Sequence, residues 1–208
     1  MKKTLLIILA IVLVFWAFSV GKYNTLVQYD ESVKTAWAQV ENVYQRRLDL
    51  IPNLVNTVQG AAAQESGVLI AVVEARANAT KVTVDVKDAE SLAAFQKVQG
   101  DVSSSLSKLL AVVENYPTLQ SIAAFRDLMT QLEGTENRIT VERKNFNDTV
   151  NTLNIYIRRF PVNVIAALFG FEKAQQFQAK AWAEVAPVVD FWTTTIMPDD
   201  TIPTEGTE

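Results

Sequence analysis

The chain has 208 residues, 49% hydrophobic and 20% charged, with 7 glycines, 6 prolines, no cysteine and no histidine, which leaves room for one domain of ordinary size. The missing residue types exclude disulfide frameworks, thiolate zinc and iron–sulfur sites, thiol nucleophiles, a lipid-modified N-terminal cysteine, and imidazole as general base or metal ligand. The net charge of −4 offers no basic field for nucleic acid, and Asp199, Asp200, Glu205 and Glu208 in the last residues account for all of it.

After Lys2 and Lys3 comes the apolar run Leu5 to Val20, with Ser19 as its one polar side chain. As a helix, Thr4 to Val20 reaches roughly 26 Å, the low end of a bilayer span. Residues 1–21 are therefore expected to form an uncleaved signal-anchor, a single transmembrane helix. A secretory signal peptide is the competing reading, because Ala17 and Ser19 offer small residues near the end of the run. The N-terminal lysines favour a cytoplasmic N-terminus with the bulk of the chain outside.

From Leu26 onward apolar residues recur every seven positions at Leu26, Val33, Val40 and Leu54, beside a second row of Trp37, Tyr44, Ile51 and Val58. That is a helical stripe. Pro52 removes one backbone hydrogen bond, yet no loop-forming residues surround it and the stripe keeps its register. The pattern predicts one helix from about Lys22 to Thr80, kinked near Asp49 to Pro52. A tight turn, with Asp49 capping a new helix, is the alternative.

Lys81 to Lys87 alternates β-branched and charged residues and is too short for a domain of its own, so it reads as a loop; Asp88 can cap a helix running to about Asn115, and Pro117 forces a break. Next comes the clearest helix, with Phe125, Leu132, Ile139, Phe146, Leu153 and Phe160 every seven residues and Ile122, Met129, Val150 and Ile157 as companion row, ending at Pro161. A short apolar stretch, 160–171, and an amphipathic segment, 172–185, follow. The expected fold is all-α: an N-terminal transmembrane helix, then an elongated antiparallel up-and-down helical bundle with coiled-coil-like packing over 22–192, then an acidic disordered tail over 193–208.

Five charges interrupt the apolar rows: Arg47, Glu65 and Arg76 in the first helix, Glu136 and Arg143 in the strong one. If buried, they form cross-helix ion pairs that fix register, with at least one arginine of the first helix meeting Glu136. If the rows drift to the edge of the stripe, the same side chains snorkel to water. No metal or cofactor is expected, since di-iron bundles need Glu-x-x-His pairs and Asp30, Glu31, Glu41 and Asp49 are scattered among basic residues. The seven glycines stand singly, with no phosphate cradle. The glycosylation triplets at Asn78 and Asn147 lie within helical patterns and read as chance.

Long runs of this chain resemble the LemA family of bacterial membrane-anchored proteins. The resemblance is carried by Tyr23-Asn24, Ala36-Trp37, Gln45-Arg46-Arg47 continuing through Asp49-Leu50-Ile51-Pro52-Asn53-Leu54-Val55, Glu74-Ala75-Arg76, Tyr116-Pro117, Gly134-Thr135-Glu136-Asn137-Arg138-Ile139, Asn147, Asn151, Asn154, and Phe160-Pro161 before Phe169-Gly170-Phe171. It implies a single-pass anchor and a helical bundle, and no established catalytic activity. The resulting expectation is a non-enzymatic protein of the bacterial cytoplasmic membrane, mostly extracytoplasmic, that acts through protein contacts as an envelope scaffold or adaptor. If the first helix is continuous, the segments folding back on it are too short to cover it. Trp37 and Tyr44 would then form an exposed interface for a protein partner or for a homo-oligomer. The alternative is a peripheral membrane-binding or membrane-remodelling protein using 160–171. Against it stands the absence of Lys and Arg between Phe160 and Glu172, because interfacial helices carry a basic face.

Overall fold

The computed structural model describes residues 2–60 and 63–178, without the side chains of 2, 5, 8, 11, 12, 14, 15 and 63. The acidic tail expected over 193–208 lies outside them, as does the end of the amphipathic segment. Every regular element among the described residues is helical: α1 (Lys2–Gln59), a 3₁₀ turn (Ala63–Glu65), α2 (Ser66–Ala79), α3 (Ala89–Val113), α4 (Pro117–Gln120), α5 (Ala123–Arg158) and α6 (Val162–Phe169). Among these residues, which leave out several side chains of the N-terminal apolar run, no helix is long and apolar enough to cross a membrane, so the transmembrane helix expected over 1–21 is not borne out by them.

At 58 residues α1 is about 87 Å long, and it continues without interruption past Pro52. A proline has no N–H, so the carbonyl four residues back loses its helical partner. That carbonyl belongs to Leu48, and Arg76 Nε of α2 donates to it at 2.9 Å. The helix ends at Gln59 rather than Thr80, which corrects the expected boundary. The reason lies in α2: Leu69, Val72 and Ala79 are buried, and only a segment folded back on α1 brings them, and Arg76, against it.

From α2 the chain crosses the loop 80–88, where Val82, Val84 and Val86 pack against the core and Lys87 Nζ lies 3.6 Å from the Asp30 carboxylate of α1. The Asp88 side chain caps α3 by accepting from Glu90 N and Ser91 N at 3.2 and 2.9 Å. Pro117 occupies the first turn of α4, where its missing N–H costs nothing. With 36 residues, about 54 Å, α5 runs antiparallel to α1, pairing Glu136 with Arg47, Phe146 with Trp37 and Tyr156 with Tyr29. Past α5, α6 turns across the end of this pair, burying Val162, Ile165 and Ala166. Gly170 stops it with φ 73°, a left-handed conformation that favours glycine, and Phe171 N closes the turn on Ala166 O at 2.9 Å.

Residues 171–178 are not helical, which corrects the amphipathic reading of that stretch. They form a strap held by two asparagines of α5. Asn154 donates to Ala174 O at 2.8 Å and accepts from Ala174 N at 3.0 Å. Asn147 treats Phe177 in the same way, at 3.2 and 2.9 Å. Seven helical residues rise about 10.5 Å and three extended residues span about 10 Å, so the two clamps are commensurate. On its other side the strap bonds the loop, Gln175 N to Val86 O at 2.8 Å.

The buried apolar residues form two clusters. One gathers Leu26 to Tyr44 of α1, Ile139 to Ile157 of α5, Leu92, Phe95, α6 and the strap. The other gathers Leu48 to Val58, α2, Val102 to Val113 and Phe125 to Leu132. Between them lie the buried polar residues Arg47, Gln99 and Thr135.

The Leu48 carbonyl gives the first testable outcome. Arg76→Ala is expected to cost about 1–3 kcal/mol, because it leaves a half-buried acceptor unmatched. In a Pro52→Ala background residue 52 can donate to Leu48 O itself, so the same substitution should cost markedly less. Urea denaturation of the four proteins gives the coupling, and equal costs in both backgrounds would remove Arg76 from this role.

Candidate functional site

The polar layer is built on Arg47, whose place in the heptad row between Val40 and Leu54 aims it into the bundle, where it is 3% exposed. Its Nη1 donates to Ser103 Oγ and to Glu136 Oε2, each at 3.0 Å. Nη2 donates to Gln99 Oε1 at 2.6 Å and to Gln99 O at 3.3 Å. The guanidinium also lies 5.1 Å from the centre of the Tyr44 ring, a cation–π distance. Within the described residues only its Nε, and the Nε1 of Trp37, are buried without a hydrogen-bond partner.

Glu136 is the open end of this arrangement, its side chain 58% exposed. The five charges therefore do not form one buried seam. Arg47 alone is buried, Glu136 meets it from the surface, and the other three also bond elsewhere. Arg76 fills the acceptor beneath Pro52, while Glu65 accepts from the Tyr116 hydroxyl at 3.3 Å and so joins the 3₁₀ turn to the start of α4. Arg143 lies 4.6 Å over the Phe177 ring and secures the strap. The heptad positions are those of the sequence, but only Arg47 is fully buried; Glu65, Arg76 and Arg143 are half-buried and Glu136 is exposed.

Trp37 and Tyr44, expected on an exposed stripe, are both buried. Trp37 meets Phe95 and Phe146 edge-on at 5.3 Å and stacks on Phe177 at 5.9 Å, while Tyr44 meets Phe95 at 5.0 Å. The cover is supplied by α3, by α5 and by the strap. Burial pushes the Tyr44 hydroxyl above its ordinary value; Arg143 and Arg47 oppose that rise and Glu136 adds to it.

Two clefts flank the layer. One, about 450 Å³, lies between α1 and α5 and is lined by Asn42, Arg46, Gln131, Gly134 and Arg138 among others, with Arg46 donating to Gln131 Oε1 at 3.0 Å. The other, about 550 Å³, lies between α3 and α5 with Arg47 at its base and Ser103, Ser107, Glu133, Glu136 and Asn137 along its walls. The two sequence runs most specific to the resemblance, Gln45 to Val55 and Gly134 to Ile139, thus cross at this layer. A profile of the LemA family matches residues 36–191. The chain belongs to the LemA family. Among relatives, it is 29% identical over 188 residues to Magnetosome protein MamQ 2 and to Magnetosome protein MamQ 1 of Paramagnetospirillum magneticum, covering 81% of this chain and 69% of each relative. It is 26% identical to Magnetosome protein MamQ of Magnetospirillum gryphiswaldense over 178 residues, 76% of this chain and 65% of the relative.

In this LemA-family chain the polar layer is occupied with its own bonding. The Ser103 hydroxyl, which receives Arg47, lies 3.2 Å from Gln99 O and donates to it, so its proton is directed away from Glu136. Among the described residues no three carboxylates converge as a metal ion would require. The residues that sequence reasoning missed are Gln99, Asn147, Asn154 and Phe177. The asparagines stood in the family motif, and their seven-residue spacing was the available signal.

Because Arg47 keeps Gln99 and Ser103 when Glu136 is lost, Glu136→Ala is expected to cost about 1 kcal/mol or less, as for an exposed pair. Gln99→Ala, which removes a buried acceptor from the guanidinium, is expected to cost more, about 2–3 kcal/mol. The reverse order in chemical denaturation would place the anchoring of Arg47 on the carboxylate.

The Tyr44 hydroxyl sets a pH dependence. Its raised value means that, above the ordinary tyrosine range near about 10, the unfolded chain ionises first while the folded hydroxyl keeps its proton. Its contribution is fully present below that range and is lost as pH rises through the folded value. Tyr44→Phe should flatten this part of the alkaline stability profile, and an unchanged slope would mean that Tyr44 does not contribute to it.

Proposed function

We propose that this LemA-family chain is a membrane-anchored, non-enzymatic helical post that works through protein contacts in the bacterial envelope, as a scaffold or adaptor. One observation carries the reading: α1 is a single helix from Lys2 to Gln59 whose apolar side chains change direction along its length. Leu6, Ile7, Leu9, Leu13, Trp16 and Phe18 are exposed, whereas Leu26, Val33, Trp37 and Val40 are core. No part of the bundle covers the described side chains of the first run, and a bilayer is the environment in which such a surface is stable. Lys2 and Lys3 ahead of it favour a cytoplasmic N-terminus with the bundle outside.

The contacts of such a post lie outside the Trp37 face, which the chain covers for itself, so self-association through that stripe loses its premise. Similarity to chains named as magnetosome proteins is compatible with a part in an assembly. For a peripheral membrane-binding or remodelling protein built on 160–171, Val162, Ile165 and Ala166 are core, which leaves only the opposite side of α6 for a bilayer.

The native protein is expected to stay with membranes through a carbonate wash, to keep its first residues, and to activate a C-terminal reporter only outside the cytoplasm. Crosslinking in intact membranes should then yield a defined species containing a second polypeptide. Recovery in the soluble fraction, or a mature N-terminus near Val20, would overturn the anchor; a membrane-bound chain that never crosslinks would overturn the scaffold.

A further inference from the structure

The inner face of α6 closes the bundle, but its outer face is bare. Phe160 is 83% and Leu168 77% exposed, and Val164 between them is also exposed. Within α6, Val164 and Leu168 stand four residues apart and so share the side opposite Val162, Ile165 and Ala166, while Phe160 lies in the turn that precedes the helix. Phe169, seven residues after Val162 and four after Ile165, belongs to the inner side and is exposed where the helix ends. An apolar stripe of this kind on the surface of a bundle marks a contact with something apolar.

Its position says with what. The Phe169 ring packs edge-on against Tyr23 at 4.9 Å, and Phe171 against the same ring at 5.6 Å. Tyr23 stands three residues beyond Val20, where the exposed apolar run of α1 ends, so α6 lies beside the level at which that run would leave a bilayer. Lys22 marks this level, its Nζ 5.2 Å from the Phe18 ring, as a cation at the headgroup with its stem along an aromatic would.

The charges agree. A helix lying in the interface needs cations beside its apolar face, and α6 has none of its own. The fold brings them from its neighbours: Arg158 and Arg159 at the end of α5, Lys173 at the start of the strap and Lys22 of α1. Acids are sparse at this end of the bundle. None occurs in residues 2–29 or 149–171, and Glu172 is the exception in the segment that follows.

We propose that the outer face of α6 lies in the interface of an anionic bilayer, with Val164, Leu168 and the preceding Phe160 among the upper acyl carbons and Arg158, Arg159, Lys22 and Lys173 at the lipid phosphates. The bundle then meets the membrane at two places, through α1 and through α6. The inference rests on the anchor reading for the level at which α6 sits, and it adds a lipid contact which that reading does not require.

The full-length chain has no cysteine, so single cysteines carry an environment-sensitive fluorophore without interference. Leu168→Cys and Val164→Cys report on α6, Leu9→Cys on the apolar run, and Ile70→Cys on exposed surface of α2. Each labelled protein is reconstituted in vesicles of phosphatidylcholine with phosphatidylglycerol, and in phosphatidylcholine alone. Labels at 164 and 168 should be quenched several-fold more by a lipid-borne nitroxide, and several-fold less by iodide, than the label at 70. In a chain also carrying R158Q and R159Q, the lipid quenching at 168 should fall in the anionic vesicles and change little in the neutral ones. Iodide quenching at 168 equal to that at 70 overturns the proposal, and so does protection from both quenchers, which would mean a protein cover such as a second copy. Equal lipid quenching with and without the two arginines overturns the charge assignment. Lipid quenching at 9 but not at 168 leaves the anchor standing and the inference lost; the opposite result leaves α6 on the membrane and the anchor lost.

Discussion

The bundle depends on one carbonyl. Pro52 deprives Leu48 O of its helical partner, and a helix that continues past such a gap needs a substitute donor. Arg76 Nε provides it at 2.9 Å, from a segment that must fold back along α1 to do so. The reversal after Gln59 brings this donor and the buried Leu69, Val72 and Ala79 against α1 together. Proline and arginine thus act as one device, in which a defect in the first helix becomes the address of the second.

The second constraint is the layer of Arg47, Gln99 and Thr135 between two apolar clusters. Apolar heptads alone tolerate sliding by a whole repeat, since every seventh position resembles the last. A guanidinium that finds its acceptors in only one alignment of α1, α3 and α5 removes that freedom. The cost is a buried cation whose carboxylate partner stands half in water, so the layer contributes more to uniqueness than to stability.

Much of this was legible in the sequence. The heptads of α5 name its buried row from Phe125 to Leu153, Asp88 caps α3, and the stripe kept in register across Pro52 points to an unbroken helix. What was not legible has physical reasons. The end of α1 goes with tertiary contacts of α2, its buried Leu69, Val72 and Ala79 and the bond from Arg76, that no local pattern encodes. Trp37 and Tyr44 looked exposed because their cover includes residues 171–178, a strap without helical period whose partners are asparagine side chains rather than another strand. The five interrupting charges were visible as a set, but their partners, the Leu48 carbonyl, the Tyr116 hydroxyl, the Phe177 ring and the Arg47–Glu136 pair, come from segments distant in sequence. The cationic rim of α6 was hidden for a similar reason, because its members come from three elements.

The unbroken course of α1 also makes it a lever. From Val20 to Gln59 the helix extends about 58 Å, with Pro52 braced by Arg76 and no loop along the way to absorb motion. A tilt of about 10° at its lower end therefore swings its far end by about 10 Å, given that length, and a turn about its axis is passed on undiminished. Whatever fixes the inclination of the first twenty residues decides where the tip formed by Gln59 and the start of α2 is presented, so the position of that tip is governed from the opposite end of the helix.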